Sequence, residues 1–338
     1  MHIHGLTVDR GGCFYYRIKQ PFQALRDRGH WTSWGSVVDQ GTFERANVIV
    51  AQMLNFESTA DCWKTWTSRG DKLCVWEADD DVFEVHKQAA HGKAYDDPTT
   101  VPRMAEMIAA AHLVTVTTEA LAKVYRRHND HVVVLPNSVP DWLLEQANEP
   151  GGRAGRLVMG YTGSPSHATD FESWSRTYGR WMSRRAHQTT LRLYGTAARP
   201  TGMPLTWSTE TVGWQTVTED YLLSLNMDVG IAPLINSAFN RGKSGIKALE
   251  YAALGIPSVC SDVQQYRDVV VGGQTGFLCR TPQDWLSAFG ALWDSPRLRE
   301  RLGAAGREMV RERYTQSRTV GMWEHAYREA MERVGIKE

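Results

Sequence analysis

Short apolar, β-branched segments alternate along the chain with longer stretches whose apolar residues recur at helical spacing. That is the pattern of parallel strands joined by crossover helices. Two such series are legible. The first predicts strands over His2–Val8, Asn47–Gln52, Lys72–Trp76, Leu113–Thr117 and Val132–Leu135. Between the first two of these a helix is expected over Pro21–Arg28, with Pro21 suited to its first turn and Gly29 to its end. The second series predicts strands over Leu157–Tyr161, Leu191–Tyr194, Asp228–Pro233, Ser258–Cys260 and Gly276–Cys279. The polar, Pro/Gly-rich run Asn148–Gly152 lies between the series and reads as a linker, giving domains over 1–148 and 149–316. Two α/β units of this kind are expected to face one another across a cleft at the carboxyl ends of their strands, where open parallel sheets bind ligands.

Helical spacing also sorts the aromatic residues. Phe171, Trp174, Tyr178 and Trp181 share one helix face behind a capping-box pattern of Thr169 and Glu172, and are expected in a core. The tail from Pro296 is helical throughout, with Leu298, Leu302 and Met309 on one side and Met322, Trp323, Tyr327 and Met331 further on. A chain of 338 residues fits about two domains, and 42% hydrophobic against 22% charged residues gives enough apolar material for two cores. The net charge of zero provides no general field for nucleic acid, so any anion site must be local. No apolar run reaches the ~18 residues of a membrane span, and the start lacks the order of a signal peptide, so a cytoplasmic location is expected. The five cysteines are scattered without CxxC spacing and the eleven histidines without HExxH, so neither a disulfide framework nor a metal site built on cysteine or histidine is expected.

The strongest chemical signal is Asp228–Asp262, which runs strand, polar loop, helix, Gly-Ile-Pro turn, strand. Its loop, Asn240, Arg241, Gly242, Lys243, Ser244 and Gly245, brings backbone amides, a helix start and two basic side chains together, a combination suited to a phosphate or diphosphate. On a regular helix Lys243, Lys247 and Glu250 fall in one arc. A carboxylate there can accept hydrogen bonds from sugar hydroxyls while the lysines hold phosphates, and the same spacing equally fits a solvated face with a Lys247–Glu250 pair. Gly163 and Ser164 follow a strand in a turn that can approach a diphosphate or simply lead into the next helix. Near the start, Arg10, Gly11, Gly12 and Cys13 form a Gly-rich turn followed by Tyr15, Tyr16 and Arg17. This is not the GxGxxG fingerprint of dinucleotide enzymes. Arg17 can clamp a diphosphate or pair with any carboxylate. After Lys72–Trp76 come Asp79, Asp80 and Asp81, whose mutual repulsion raises pKa values or invites a cation. They read as ligand-site carboxylates (Asp80 or Asp81), as a solvated loop, or as a DxD metal site.

The set of segments GYTGSPSHATDF (Gly160–Phe171), VTVTTEAL (Val114–Leu121), LPNSVP (Leu135–Pro140) and GGQTGFLC (Gly272–Cys279), with Asp228–Asp262, resembles the retaining GT-B glycosyltransferases of family four. The compact length and 29 arginines against 9 lysines resemble its actinobacterial or phage-encoded members. The resemblance implies an α/β GT-B fold of two Rossmann-like domains, with a terminal helix over 317–338 returning to the first. It implies hexose transfer from a nucleoside diphosphate sugar to a hydroxyl of a glycan, lipid or protein acceptor, with retention, no metal and no tightly bound cofactor. Peripheral membrane contact stays open. Donor contacts are implied at Gly12, Gly163, Ser164, Asn240, Lys243, Ser244, Gly245, Lys247 and Glu250, with Glu250 at the ribose and the nucleotide base near Trp207 and Trp214, although each of these tryptophans fits core packing better. Asp80, Asp81, Arg17 and Lys243 are implied at the reacting centre. The family's first glutamate falls on Gly242 here, a departure that bears on the identity of the sugar. The alternatives are a nucleotide-sugar epimerase or a phosphorylase on the same fold, or a binding module without activity.

Overall fold

A computed structural model of the chain describes residues 1–8, 10–85, 95–146, 156–163, 167–185, 187–195 and 208–338. Among these residues twelve strands form two six-stranded sheets in which every pairing is parallel. The first sheet holds β1 (His2–Leu6), β2 (Trp31–Gly35), β3 (Val48–Gln52), β4 (Leu73–Ala78), β5 (Leu113–Val116) and β6 (Val132–Val134), in the order β2-β1-β3-β4-β5-β6. The second holds β7 (Leu157–Thr162), β8 (Thr189–Tyr194), β9 (Ser208–Val212), β10 (Val229–Ala232), β11 (Ser258–Ser261) and β12 (Gly276–Cys279), in the order β12-β11-β10-β7-β8-β9. Each sheet is Rossmann-like, and the expected GT-B fold class holds.

The chain divides into two compact units. Unit 1 is Met1–Ser138, Gly242–Ser244 and Gln316–Glu338; unit 2 is Val139–Arg241 and Gly245–Thr315. The expected linker at Asn148–Gly152 lies outside the described residues. In unit 1, period-two alternation sends neighbouring strand residues to opposite faces, and both faces are buried. Ile49 and Ala51 of β3 join Cys74 and Trp76 of β4 in one core, while Val48, Val50, Leu73 and Val75 join the other. The second core is closed by the helix Gln316–Arg333, which brings Trp323, Tyr327 and Met331 against Phe22 and Leu25. Met322 points away and is exposed. In unit 2 the aromatic face behaves as expected. Phe171, Trp174, Tyr178 and Trp181 are buried, with Trp174 stacked on Tyr178 at 4.3 Å between centroids and Trp285 and Phe289 packed edge-on.

Strand order fixes where a ligand meets each sheet. From β1 the chain goes to β2 on one side and then crosses to β3 on the other. From β7 it runs out through β8 and β9 before returning to β10 on the far side. Each reversal is a topological switch point, where loops leave adjacent strands in opposite directions and open a crevice at the carboxyl ends. In unit 1 the loops concerned follow β1 and β3. Met53, just after β3, has a φ of 42°, the only positive value at a non-glycine among the described residues. In unit 2 they follow β7 and β10.

Candidate functional site

Unit 1 builds its polar centre around a buried ion pair. Tyr15–Lys19 forms a π-helical turn that leads into the helix Gln20–Asp27, and Arg17 projects from it into the interior. Its Nε donates to Glu77 Oε1 at 2.7 Å and its Nη2 to Glu77 Oε2 at 3.1 Å, with both side chains 0% exposed. Thr115 donates to the same carboxylate. Burial pushes the Glu77 carboxyl up against the pull of Arg17 and Thr115. Arg17 Nη1 also donates to the Leu135 carbonyl and to Asn137 Oδ1, and the guanidinium lies 4.7 Å from the Trp323 ring centroid. This is a different setting from that expected of a phosphate clamp, because the fork is committed within the fold.

The relay continues outward. Asn137 Nδ2 donates to Ser244 Oγ at 2.8 Å, Thr118 Oγ1 donates to the Gly242 carbonyl at 3.0 Å, and Lys243 Nζ donates to Asp80 Oδ1 at 2.7 Å. Three anchors thus hold Gly242–Ser244 within unit 1. A Cβ on Gly242 would lie 3.1 Å from Leu121 and 3.7 Å from the Asp81 Cβ, so a glutamate there would crowd an existing carboxylate. Lys243 is not on the following helix, as its spacing from Lys247 suggested. It precedes that helix, and Asp80 fixes it.

The three aspartates have separate settings. Asp80 is 19% exposed and bound to Lys243. Asp81 is buried, and its Oδ1 accepts from the Phe83 amide at 3.0 Å, which makes it a turn-former as well as a candidate ligand. Asp79 Oδ1 is shut off from solvent without a hydrogen-bond partner. Burial and the Asp80 charge push its carboxyl up to about 7 against the pull of Cys13, Arg17 and Lys243. Burial also lowers the Lys243 ammonium, but Asp80 outweighs this and the net shift is upward. Gly12 opens the short helix Gly12–Phe14 with open space where a side chain would stand. Among the described residues no group of three or more His, Cys, Asp or Glu is arranged to hold a metal ion.

The raised Asp79 carboxyl makes stability depend on pH. An unfolded aspartate ionises near 3.8, and the folded one near 7. Between these values the native state binds the extra proton, so stability is lost as pH rises and the loss is complete above about 7. Asp79→Asn is therefore expected to gain on the parent protein between pH 4 and 7, on the order of 3 kcal/mol. Melting curves across that range check it, and a pH-independent difference would contradict the assignment.

Unit 2 organises its switch point around Asp170, a buried carboxylate in the first turn of Ala168–Ser183. Its Oδ1 accepts from the Ile235 amide at 3.0 Å and from Asn240 Nδ2 at 2.8 Å, and its Oδ2 accepts from His167 Nδ1 at 3.0 Å. Burial raises its pKa, but His167, the Ile235 amide and Lys247 prevail, and the net shift is downward. One carboxylate therefore ties the loop after β7 to the loop after β10. Gly245 then starts the helix Ile246–Ala253 where a Cβ would meet Val269 Cγ2 at 2.5 Å and the Gln265 carbonyl at 2.6 Å. Lys247 Nζ sits 5.4 Å from the Tyr161 ring centroid. Gly163 follows β7 at a point where a Cβ would lie 2.8 Å from the Tyr161 hydroxyl; Ser164 and Trp207 lie outside the described residues.

Glu250 is 3% exposed, and its Oε2 accepts from Tyr221 Oη at 2.7 Å, a setting unlike a solvated helix face. Sequence reading missed Asp170 as a hub and Tyr221 as a partner. His167 and Asp170 at i, i+3 next to a predicted helix start were a local signal for the first. Tyr221 stands 29 positions from Glu250, and nothing local links the two.

Residues 182–295, about a third of the chain, match the family model for glycosyl transferases group 1. No curated protein sequence matches the chain. Solved structures share its fold over nearly the full length. Sucrose-phosphate synthase from Thermosynechococcus elongatus is 16% identical with a TM-score of 0.66, covering 98% of this chain and 100% of that one. HepE from Anabaena, solved with UDP-glucose, is 12% identical with a TM-score of 0.66 and 99% coverage of both chains. A glycosyltransferase from Rickettsia africae is 11% identical with a TM-score of 0.68 and 98% coverage of both. At these identities the likeness is one of fold.

Proposed function

We propose that the chain is a retaining glycosyltransferase that moves a hexose from a nucleoside diphosphate sugar to an acceptor hydroxyl. The observation that carries this reading is the switch point of unit 2. There Asp170 locks the loops after β7 and β10 beside a helix that starts at Gly245 and carries Lys247 and the buried Glu250. The match of residues 182–295, which include the loop after β10, Lys247 and Glu250, to a glycosyltransferase family model and the fold shared with HepE, solved with UDP-glucose, support it.

In this reading Lys247 and Lys243 neutralise charge building on the departing diphosphate, with backbone amides at Gly163–Ser164 and Ser244–Gly245. Glu250 holds the donor ribose. Asp80 sets the position of Lys243, and Arg17 acts through Asn137 on Ser244. The bond from the anomeric carbon to the diphosphate breaks and a bond to the acceptor oxygen forms on the same face. The acceptor proton passes to the departing phosphate, so no carboxylate serves as a covalent nucleophile.

A thermal-shift screen across nucleotide sugars tests the reading. A ligand at 100 times its Kd stabilises by about 2.7 kcal/mol, a rise of roughly 5 °C for units of this size. One nucleotide-sugar class should stand out, and NMR of the product should show the donor's anomeric configuration. A flat screen would remove the donor site, and an inverted product would remove retention alone.

A further inference from the structure

Glu250 lies in the first helix after the Gly245 start, but the group that fixes its carboxylate comes from elsewhere. Tyr221 belongs to the helix Thr218–Ser224, which follows β9 at the far edge of the second sheet, and its hydroxyl reaches Glu250 Oε2 at 2.7 Å. The contact is part of a wider hydroxyl network. Tyr221 also interacts with Thr162 at the carboxyl end of β7, and Thr162 Oγ1 lies 2.9 Å from the Tyr251 hydroxyl. Tyr251 Oη in turn accepts from the Thr162 amide at 3.2 Å. The helix after β9, the end of β7 and the helix Ile246–Ala253 are thus joined by hydroxyls, one of which reaches the Glu250 carboxylate.

We infer that Tyr221 is a positioning residue that orients Glu250 toward the ribose hydroxyls of a nucleoside diphosphate. The inference rests on the reading of Glu250 as the ribose ligand. A buried carboxylate on a flexible side chain is a directional acceptor only if its plane is fixed. A phenolic donor such as Tyr221 helps to fix that plane while occupying one acceptor site of the carboxylate. Burial, and then the Glu250 charge, push the Tyr221 phenol well above its ordinary range, so it stays protonated and remains the donor. Phenylalanine would keep the ring in place and lose the hydroxyl's bonds to Glu250 and Thr162.

The test measures dissociation constants of UDP, GDP and ADP, and of their 2′-deoxy and 3′-deoxy counterparts, for the full chain and its Tyr221→Phe variant. For the ribonucleotide that binds most tightly, Tyr221→Phe should weaken binding about fivefold to tenfold, and one deoxy counterpart should change by less than about twofold. Glu250→Gln should reproduce the loss of ribose discrimination, and adding Tyr221→Phe to it should cost little more. Equal weakening of ribo and deoxy forms would make Tyr221 structural only and overturn the inference, as would no weakening at all. If the parent protein does not distinguish ribose from deoxyribose, the Glu250 reading itself falls. If none of the nucleotides binds, the proposed function falls with it.

Discussion

Lys243→Ala is expected to abolish the melting-temperature rise given by the donor and to lower kcat/KM by about 10²- to 10³-fold, the range typical of losing one preorganised electrostatic group. Two effects add. The substitution removes the cation proposed to meet the departing diphosphate, and it leaves Asp80 without its partner at 2.7 Å beside Asp79. An ammonium that had balanced two neighbouring carboxylates gives way to a locally negative surface, which repels a diphosphate. Lys243→Arg keeps the charge and should retain part of the activity. The stability cost should stay near ~1 kcal/mol, because the Lys243–Asp80 pair is partly exposed. Wild-type donor affinity in Lys243→Ala would show that the diphosphate is held elsewhere.

The largest stability effect is expected at Arg17. Arg17→Ala leaves Glu77 buried with Thr115 as a remaining donor, strips the Leu135 carbonyl and Asn137 of a partner, and removes the contact with the Trp323 ring. Breaking a buried pair from one side costs about 3–5 kcal/mol, or roughly 10 °C in melting temperature. The loss should depend on pH in a defined direction. Burial already raises the Glu77 carboxyl, and without the arginine it rises further. A folded-state value above the unfolded one means stability falls as pH rises, so the variant should compare best with the parent protein in acid. Arg17→Met with Glu77→Leu should be less destabilised than Arg17→Ala, because no charge is left buried. Denaturant titrations at pH 5 and 8 check both points. A loss below ~1 kcal/mol would mean that water reaches the pair.

The two predictions separate roles that sequence reading had joined. The resemblance implies Arg17 and Lys243 together at the reacting centre, while Arg17 taken by itself equally fits a pairing with a carboxylate. Their surroundings differ, and nothing adjacent in the chain says so. Glu77 lies 60 positions from Arg17 and Asn137 lies 120 away, so the commitment of the guanidinium arises only from folding. The same holds for Lys243, whose spacing fitted one helix face with Lys247. The helix begins only at Ile246, after a Gly245 packed against Gln265 and Val269, and Asp80, 163 positions away, fixes the lysine.

By itself the sequence determined ten of the twelve strands found among the described residues, because their short apolar, β-branched segments stand out between stretches of helical spacing. It also determined the aromatic core helix of unit 2, through residues spaced at 3.6. β2 escaped it. Trp31–Gly35 mixes tryptophan with Thr and Ser at a sheet edge, where one neighbour suffices and the apolar pattern is weak. β9, Ser208–Val212, is likewise polar and at an edge. Strand order, and with it the two switch points, was decided by tertiary structure, since pairing between parallel strands depends on packing of the whole sheet. So were the partners of each charged group. Burial sets the energetic cost of a charge and a distant partner offsets it, and neither can be read from the residues next to it in the chain.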